Sequence, residues 1–140
     1  MVDLKSFTRW NVDLAKTIAA IGDDTFFSQL FSALGAQVQH EYPQIWLYHR
    51  DLPPRILYHQ IPKQAVALQV DRYLEGPYRE DPFYQLSMSS PRNSIYRLAR
   101  LTDTRFEESS YCRDYYEATD TRDEIISLRR LDDGSVIKLC

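Results

Sequence analysis

Apolar positions near the start of the chain recur at spacings of three and four. Phe7, Trp10, Leu14, Ile18 and Ile21 lie on one stripe of an amphipathic helix, which Gly22 ends. A second helix follows, with Asp23 or Asp24 as its cap. Phe26, Phe27, Leu30, Phe31 and Leu34 form its apolar face, and Gly35 stands where a terminating glycine belongs. The period then shortens to two. Ile45 to His49 read as a strand, Asp51-Leu52-Pro53-Pro54 interrupts it, and Ile56 to Ile61 read as its hairpin partner. After Pro62 the spacing of Val66, Val70, Tyr73 and Leu74 is helical again until Gly76-Pro77 stops it. Asp81-Pro82 supplies the cap and first residue of a short helix that fades by Ser89-Ser90-Pro91.

Ser94 to Leu98 form a third strand. Thr104 and Glu107 have the capping-box spacing and start a helix carrying Phe106, Tyr111 and Tyr115. Glu124 to Leu131 and Ser135 to Leu139 flank Asp132-Asp133-Gly134, and an Asp-Gly turn between apolar runs signals a hairpin. No repeat, low-complexity stretch or Pro/Gly/Ser-rich linker divides the chain, so one domain over residues 1–140 is expected. The order of elements suits an α+β fold, a five-stranded antiparallel sheet flanked by helices, PAS-like or GAF-like in arrangement.

Composition narrows the function classes. Seventeen Lys and Arg against 20 Asp and Glu give a net charge of −3. That balance lacks the basic excess that phosphate neutralisation on nucleic acid requires. The two cysteines, Cys112 and Cys140, make no CxxC pair and are too few for a disulfide or zinc framework, which fits free thiols in the cytoplasm. Charged residues interrupt the N-terminal segment, and no apolar run approaches the roughly 18 residues of a membrane span, so no membrane partner is expected. Walker A, dinucleotide-glycine, nucleophile-elbow and His-Glu-x-x-His patterns are all missing, and no enzymatic chemistry, cofactor or metal is expected. His40, His49 and His59 lack metal-ligand spacing. Aromatic content is the feature that stands out: 10 Tyr, 6 Phe and 2 Trp.

The segment VDRYLEGPYREDPFYQL, with Tyr73, Tyr78, Asp81 and Pro82 in that order, resembles part of the autoinducer-binding domains of LuxR-type regulators. The stretch FEESSYCRDYYEATDTRDEIISLRRLDDGSVIKL is similar to the closing helix and hairpin of GAF-like sensor halves that precede LuxR-type helix-turn-helix domains. The resemblance implies a small-molecule-sensing regulatory domain, acting as a homodimer and reaching DNA only through a C-terminal helix-turn-helix domain that this chain does not carry. In acyl-homoserine-lactone receptors the Asp of this motif bonds the ligand amide, and a Trp four residues before the first Tyr bonds the lactone carbonyl. Gln69 stands at that Trp position here, and the Tyr73–Asp81 spacing is one residue shorter, so the ligand identity does not carry over.

Each candidate residue admits a plainer reading. Asp81 before Pro82 is a pocket carboxylate or a helix cap. Tyr73 and Tyr78 line a cavity or belong to an ordinary core. Trp46 and Tyr48 alternate onto one face of the first strand, Tyr58 is placed to face them from the second, and Tyr96 extends the same aromatic floor from the third. A ligand-free dimerisation or protein-interaction module is the alternative function. Cys112, with no histidine nearby in sequence, reads as an inert thiol.

Overall fold

The structure, a computed structural model, describes residues 3–140. It divides into two compact units, Met1–Glu41 and Tyr42–Cys140.

The first unit is a helix pair, α1 (Leu4–Ala19) and α2 (Phe26–Gly35). Asp3 caps α1 by accepting the Lys5 and Ser6 N–H groups. Neither Asp23 nor Asp24 caps α2: Thr25 holds the N-cap position without a side-chain bond, and Asp23 contributes its backbone carbonyl to the Phe26 N–H in a tight turn. Along α1 the enclosed face runs through half-buried Trp10 to buried Thr17 and Ala20, while Phe7, Leu14, Ile18 and Ile21 are exposed. Hydrophobicity alone selects the wrong stripe. Thr17 can be buried because its hydroxyl donates to the Asp13 carbonyl at 2.9 Å, which leaves no orphan polar group.

The second unit is built on a five-stranded antiparallel sheet in the order β2-β1-β5-β4-β3. The strands are β1 (Gln44–His49), β2 (Leu52–His59), β3 (Ser94–Arg97), β4 (Ile125–Arg130) and β5 (Val136–Leu139). Both expected hairpins form, β1 with β2 and β4 with β5. The Asp-Gly turn closes the second one, with Gly134 at φ +83° and the Asp133 carboxylate accepting the Ser135 N–H. β2 begins earlier than the prolines suggest, since Pro53 and Pro54 lie inside it. Both fall at a register irregularity of this edge strand, between the pairs Leu47–Arg55 and His49–Leu52, where neither proline is a ladder partner of β1. β5 is the central strand, so its inward side chains sit at the middle of the sheet.

The chain between β2 and β4 supplies short helical pieces. α3 (Lys63–Val66), a π-helical segment (Ala67–Asp71) and α4 (Arg72–Leu74) follow one another without a break. Gly76, at φ +153°, allows the turn into the 3₁₀ segment Pro77–Glu80. Then come α5 (Pro82–Met88), α6 (Leu98–Leu101), α7 (Thr104–Glu107) and a second π-helical segment (Cys112–Glu117). Asp103, not Thr104, caps α7 by accepting the Arg105 and Phe106 N–H groups. Phe106, Tyr111 and Tyr115 are thus divided between α7, the residue before the π segment and the π segment itself. Among the described residues no helix is long and apolar enough to cross a membrane.

One face of the sheet carries the core. Trp46 on β1, Lys138 on β5 and Leu128 on β4 are register partners and so share a face, with Tyr48 beside Val136 in the next row. Leu128 is 2% exposed. Leu128→Ala should destabilise the chain by about 2–5 kcal/mol in urea denaturation, the range for a truncated core leucine.

Candidate functional site

Helical segments pack a second wall of aromatic side chains against this face. Tyr73 from α4, Tyr78 from the 3₁₀ segment, Phe83 from α5, Tyr111 and Tyr116 join Trp46 and Tyr48 in one buried cluster. The rings meet edge-on or tilted. Trp46 and Tyr73 have centroids 5.1 Å apart, Tyr78 and Tyr84 5.0 Å, and Tyr48 and Tyr84 5.3 Å. Tyr111 and Tyr115 stack at 4.8 Å.

Polar groups inside this cluster form a connected network. Asp81, 2% exposed, accepts the Phe83 N–H on Oδ1 at 2.8 Å, so it caps α5 as the Asp-Pro pattern predicts. Its Oδ2 accepts the Tyr73 hydroxyl at 2.7 Å. Because Tyr73 gives its proton to Asp81, the 2.9 Å bond between Tyr48 and Tyr73 must be donated by Tyr48. Lys138 projects from the central strand into the same network, its Nζ 3.7 Å from Asp81 Oδ2 and 3.3 Å from Glu124 Oε1. The Tyr116 hydroxyl donates to Glu124 Oε2 at 2.7 Å. The ammonium also lies 5.2 Å from the Phe83 ring centre and 6.0 Å from that of Tyr48, within cation–π range.

Burial by itself would push the Lys138 ammonium toward its neutral form. The surrounding groups, Cys140, Glu124, Tyr48 and Asp81, outweigh burial and hold its pKa well above the ordinary lysine value. Tyr73 is raised well above the usual phenol range, first by burial and then by the Asp81 charge. Tyr111 and Tyr116 are raised well above it too, chiefly by burial. Cys140 is raised by burial, and so is Cys112, which argues against a nucleophilic thiolate at either position.

The structure gathers Trp46, Tyr48, Tyr73, Tyr78 and Asp81 into one buried place. Tyr96 sits at its margin, half-buried on β3, with its hydroxyl donated to the Arg92 carbonyl. Tyr58 does not face Trp46 and Tyr48 as the sequence places it. A register irregularity between Ile45 and Trp46 pairs Tyr58 with Ile45, which puts its ring on the opposite face. Gln69, in the first π segment, accepts the Gln44 amide at 3.4 Å, and Gln44 in turn accepts the Trp46 indole N–H at 2.8 Å. The indole donor is therefore occupied within the protein.

Sequence reasoning missed Lys138, Glu124, Phe83, Tyr111 and Tyr116 as members of the network. A signal for Lys138 exists: with Val136 facing inward, the period-two rule puts Lys138 on the core face. Near Tyr116, a groove of about 130 Å³ is lined by Leu98, Thr102, Phe106, Cys112 and Thr121 among others. That is well below the roughly 300–1,000 Å³ of sites for drug-sized ligands. Among the described residues no three His, Cys, Asp or Glu side chains converge as metal ligands.

The chain is similar to the VqsR LBD domain from Pseudomonas aeruginosa, with 27% identity and a TM-score of 0.79 over 93% of this chain and 77% of that one. No protein-family model matches the chain, and neither does any curated protein.

Two outcomes follow from the network. Asp81→Asn keeps a good cap but removes one of the two charges facing Lys138. It should lower stability by about 2–3 kcal/mol in denaturant titration, less than the loss of a sole partner because Glu124 remains. Asp103→Asn, at an exposed cap, should leave stability unchanged. The second outcome concerns pH. Lys138, Tyr73, Tyr111 and Tyr116 all keep their protons in the folded chain above the pH at which the unfolded chain releases them, about 10. Their contribution to stability is complete below about pH 10 and is lost as pH rises toward the folded values. Denaturation midpoints should be level from pH 8 to 9 and fall above about 10, with tyrosinate absorbance from these residues appearing together with unfolding.

Proposed function

We propose that this chain is the small-molecule-sensing domain of a LuxR-type transcription regulator, working as a cytoplasmic homodimer and without catalytic chemistry of its own. The observation that supports it best is the buried Asp81–Lys138–Glu124 node inside an aromatic wall, in a fold shared with the VqsR LBD domain. Buried ion pairs add little to stability, and hydrophobic residues of similar volume often do as well. A charged centre held among tyrosines suits recognition better than packing. Such a sensor works by differential affinity: a ligand that prefers one arrangement of the domain biases whatever DNA-binding domain is attached. In this reading Trp46, Tyr48, Tyr73, Tyr78 and Asp81 take part in binding.

A ligand-free dimerisation or interaction module is the second reading, favoured by one observation. Tyr48 and Phe83 are 0% exposed, and each carboxylate oxygen of the node already faces a donor from the chain. Native mass spectrometry of the protein purified from its own host separates the two. A sensor should carry a small-molecule adduct in a fraction of the molecules, and collisional activation should release it. A spectrum with the bare polypeptide mass alone, together with an unchanged melting temperature after addition of host extract, would favour the module.

A further inference from the structure

We propose that the exposed apolar stripe of α1 is a self-association seam, along which two copies of this chain pair α1 against α1 in parallel, with their Asn11 amides facing each other. The inference rests on the homodimer named above and gives it a surface; it holds for a sensor and for an interaction module alike.

The stripe that hydrophobicity selects on α1 is not the enclosed face, and its spacing shows another use. Leu4, Phe7, Asn11, Leu14, Ile18 and Ile21 follow one another at intervals of three, four, three, four and three, the alternating a and d positions of a heptad. All six are exposed. Ile21 lies just past the last residue of α1 and continues its winding, with its N–H donated to the Ile18 carbonyl at 3.1 Å. Half-buried Trp10 and buried Thr17 and Ala20 run alongside, so α1 has one covered face and one open seam.

Three features name a second copy as the occupant. The first is Asn11 at the a position in the middle of the seam. An asparagine there weakens a helix pair but fixes its register and the number of strands. In a parallel pair it meets an identical amide, which both donates and accepts; in an antiparallel pair a positions face d positions, and Asn11 would meet Leu14 and stay unpaired. The second feature is charge. The flanking e and g positions hold Thr8, Ala15, Trp10 and Thr17, whereas Lys5, Arg9, Asp13 and Lys16 fall at b, c and f. Charges at e and g are what select a different partner chain, and without them identical copies meet free of like-charge repulsion.

The third feature is area. The five apolar side chains of the seam are 38% to 79% exposed. They leave about 500 Å² open on one copy, toward the upper end for the largest apolar patch of a monomer. Two copies together would bury about 1,000 Å², the lower bound for a specific interface. Ile18 at a beside Leu14 at d is also the combination that favours two parallel strands. Because α1 is already folded in the single chain, association carries no cost of helix nucleation.

Sedimentation equilibrium of the 140-residue chain tests the seam. The wild type should dimerise reversibly with a dissociation constant on the order of 10 µM, as suits an interface of this size. Phe7→Glu and Ile18→Glu should each weaken the dimer about thirtyfold or more, the effect of a lost hot spot. Both residues are exposed in the single chain, so helical circular dichroism should stay at the wild-type value. Val12→Glu, about as exposed as Phe7 but at a b position, should dimerise as the wild type does. Orientation is read by cross-linking with oxidised glutathione. Asn11→Cys should give a disulfide-linked dimer, because facing a positions of a parallel pair come within the roughly 4.4–6.8 Å Cα separation that a disulfide spans, and Val12→Cys should not. Cys112 and Cys140 are common to both variants and cancel in the comparison. A dimer that survives both glutamate substitutions unchanged would overturn the seam and leave the homodimer standing on another surface. Cross-linking of Asn11→Cys no better than that of Val12→Cys would overturn the parallel pairing. A wild type that stays monomeric well above the expected constant would overturn the seam and the homodimer together, whereas the sensory reading is judged separately by the adduct in native mass spectra.

Discussion

An ammonium in the middle of a buried sheet face constrains everything packed around it. Lys138 projects from the central strand, where water cannot solvate it, and leaving such a charge without a partner costs several kcal/mol, on the order of 3–5. Its counter-ions must therefore come from the chain, and they come from two directions. Asp81 arrives at the start of α5, and Glu124 from the residue just before β4. Each carboxylate is oriented in turn by a tyrosine, Tyr73 for Asp81 and Tyr116 for Glu124. The helical wall and the sheet are thus tied through one charged atom, and the aromatic rings fill the space which that attachment defines.

Asp81 shows why the cap and the buried carboxylate are not competing explanations. One oxygen completes the first turn of α5 and the other takes the Tyr73 proton and faces Lys138. The proline that follows presets the backbone for the helix, which fixes where the carboxylate points. A residue chosen only as a cap would be well placed in solvent, as Asp103 is. Burial and a second donor separate the two cases, and neither can be read from the Asp-Pro pair.

Local signals in the sequence were sufficient for the hairpins, because alternation and the Asp-Gly turn act over a few residues. They were sufficient, too, for the grouping of Trp46 with Tyr48 and of Tyr73 with Tyr78 and Asp81. What depends on distant contacts was not legible. The face taken by Tyr58 hangs on a register irregularity in β1, which one residue of slip decides. Edge position together with a register irregularity opposite Tyr48, both invisible along the chain, admits Pro53 and Pro54 to β2. On α1 the enclosed face follows Thr17 and Ala20, small residues that allow close approach, and not the larger apolar side chains. Lys138 is not legible because strand periodicity marks apolar positions, and the carboxylates that allow a lysine to face inward lie far from it in sequence.

A sensing role must contend with how thoroughly this core satisfies itself. A ligand shifts an equilibrium only by its differential affinity for the two states, so it gains nothing from bonds that merely replace those the chain already makes. Energy has to come from contacts the closed core lacks: the unmatched Tyr115 hydroxyl, the long ammonium contacts, and apolar area brought against the rings. The two π-helical segments are relevant here. Ala67–Asp71 holds Gln69 and Val70 and leads into Tyr73, and Cys112–Glu117 holds Tyr115 and Tyr116. Each wide turn replaces the tighter hydrogen-bond pattern of an ordinary helix, an arrangement that is frequent at functional sites. Both border the aromatic wall, and one of them carries the hydroxyl without a partner. Returning either segment to regular α-helical turns would rotate the side chains that follow it by about 100° per residue shifted, enough to withdraw a ring from the cluster. The unmet donor and a wide helical turn thus lie in the same segment, so a change of register there would move the very ring that carries the donor.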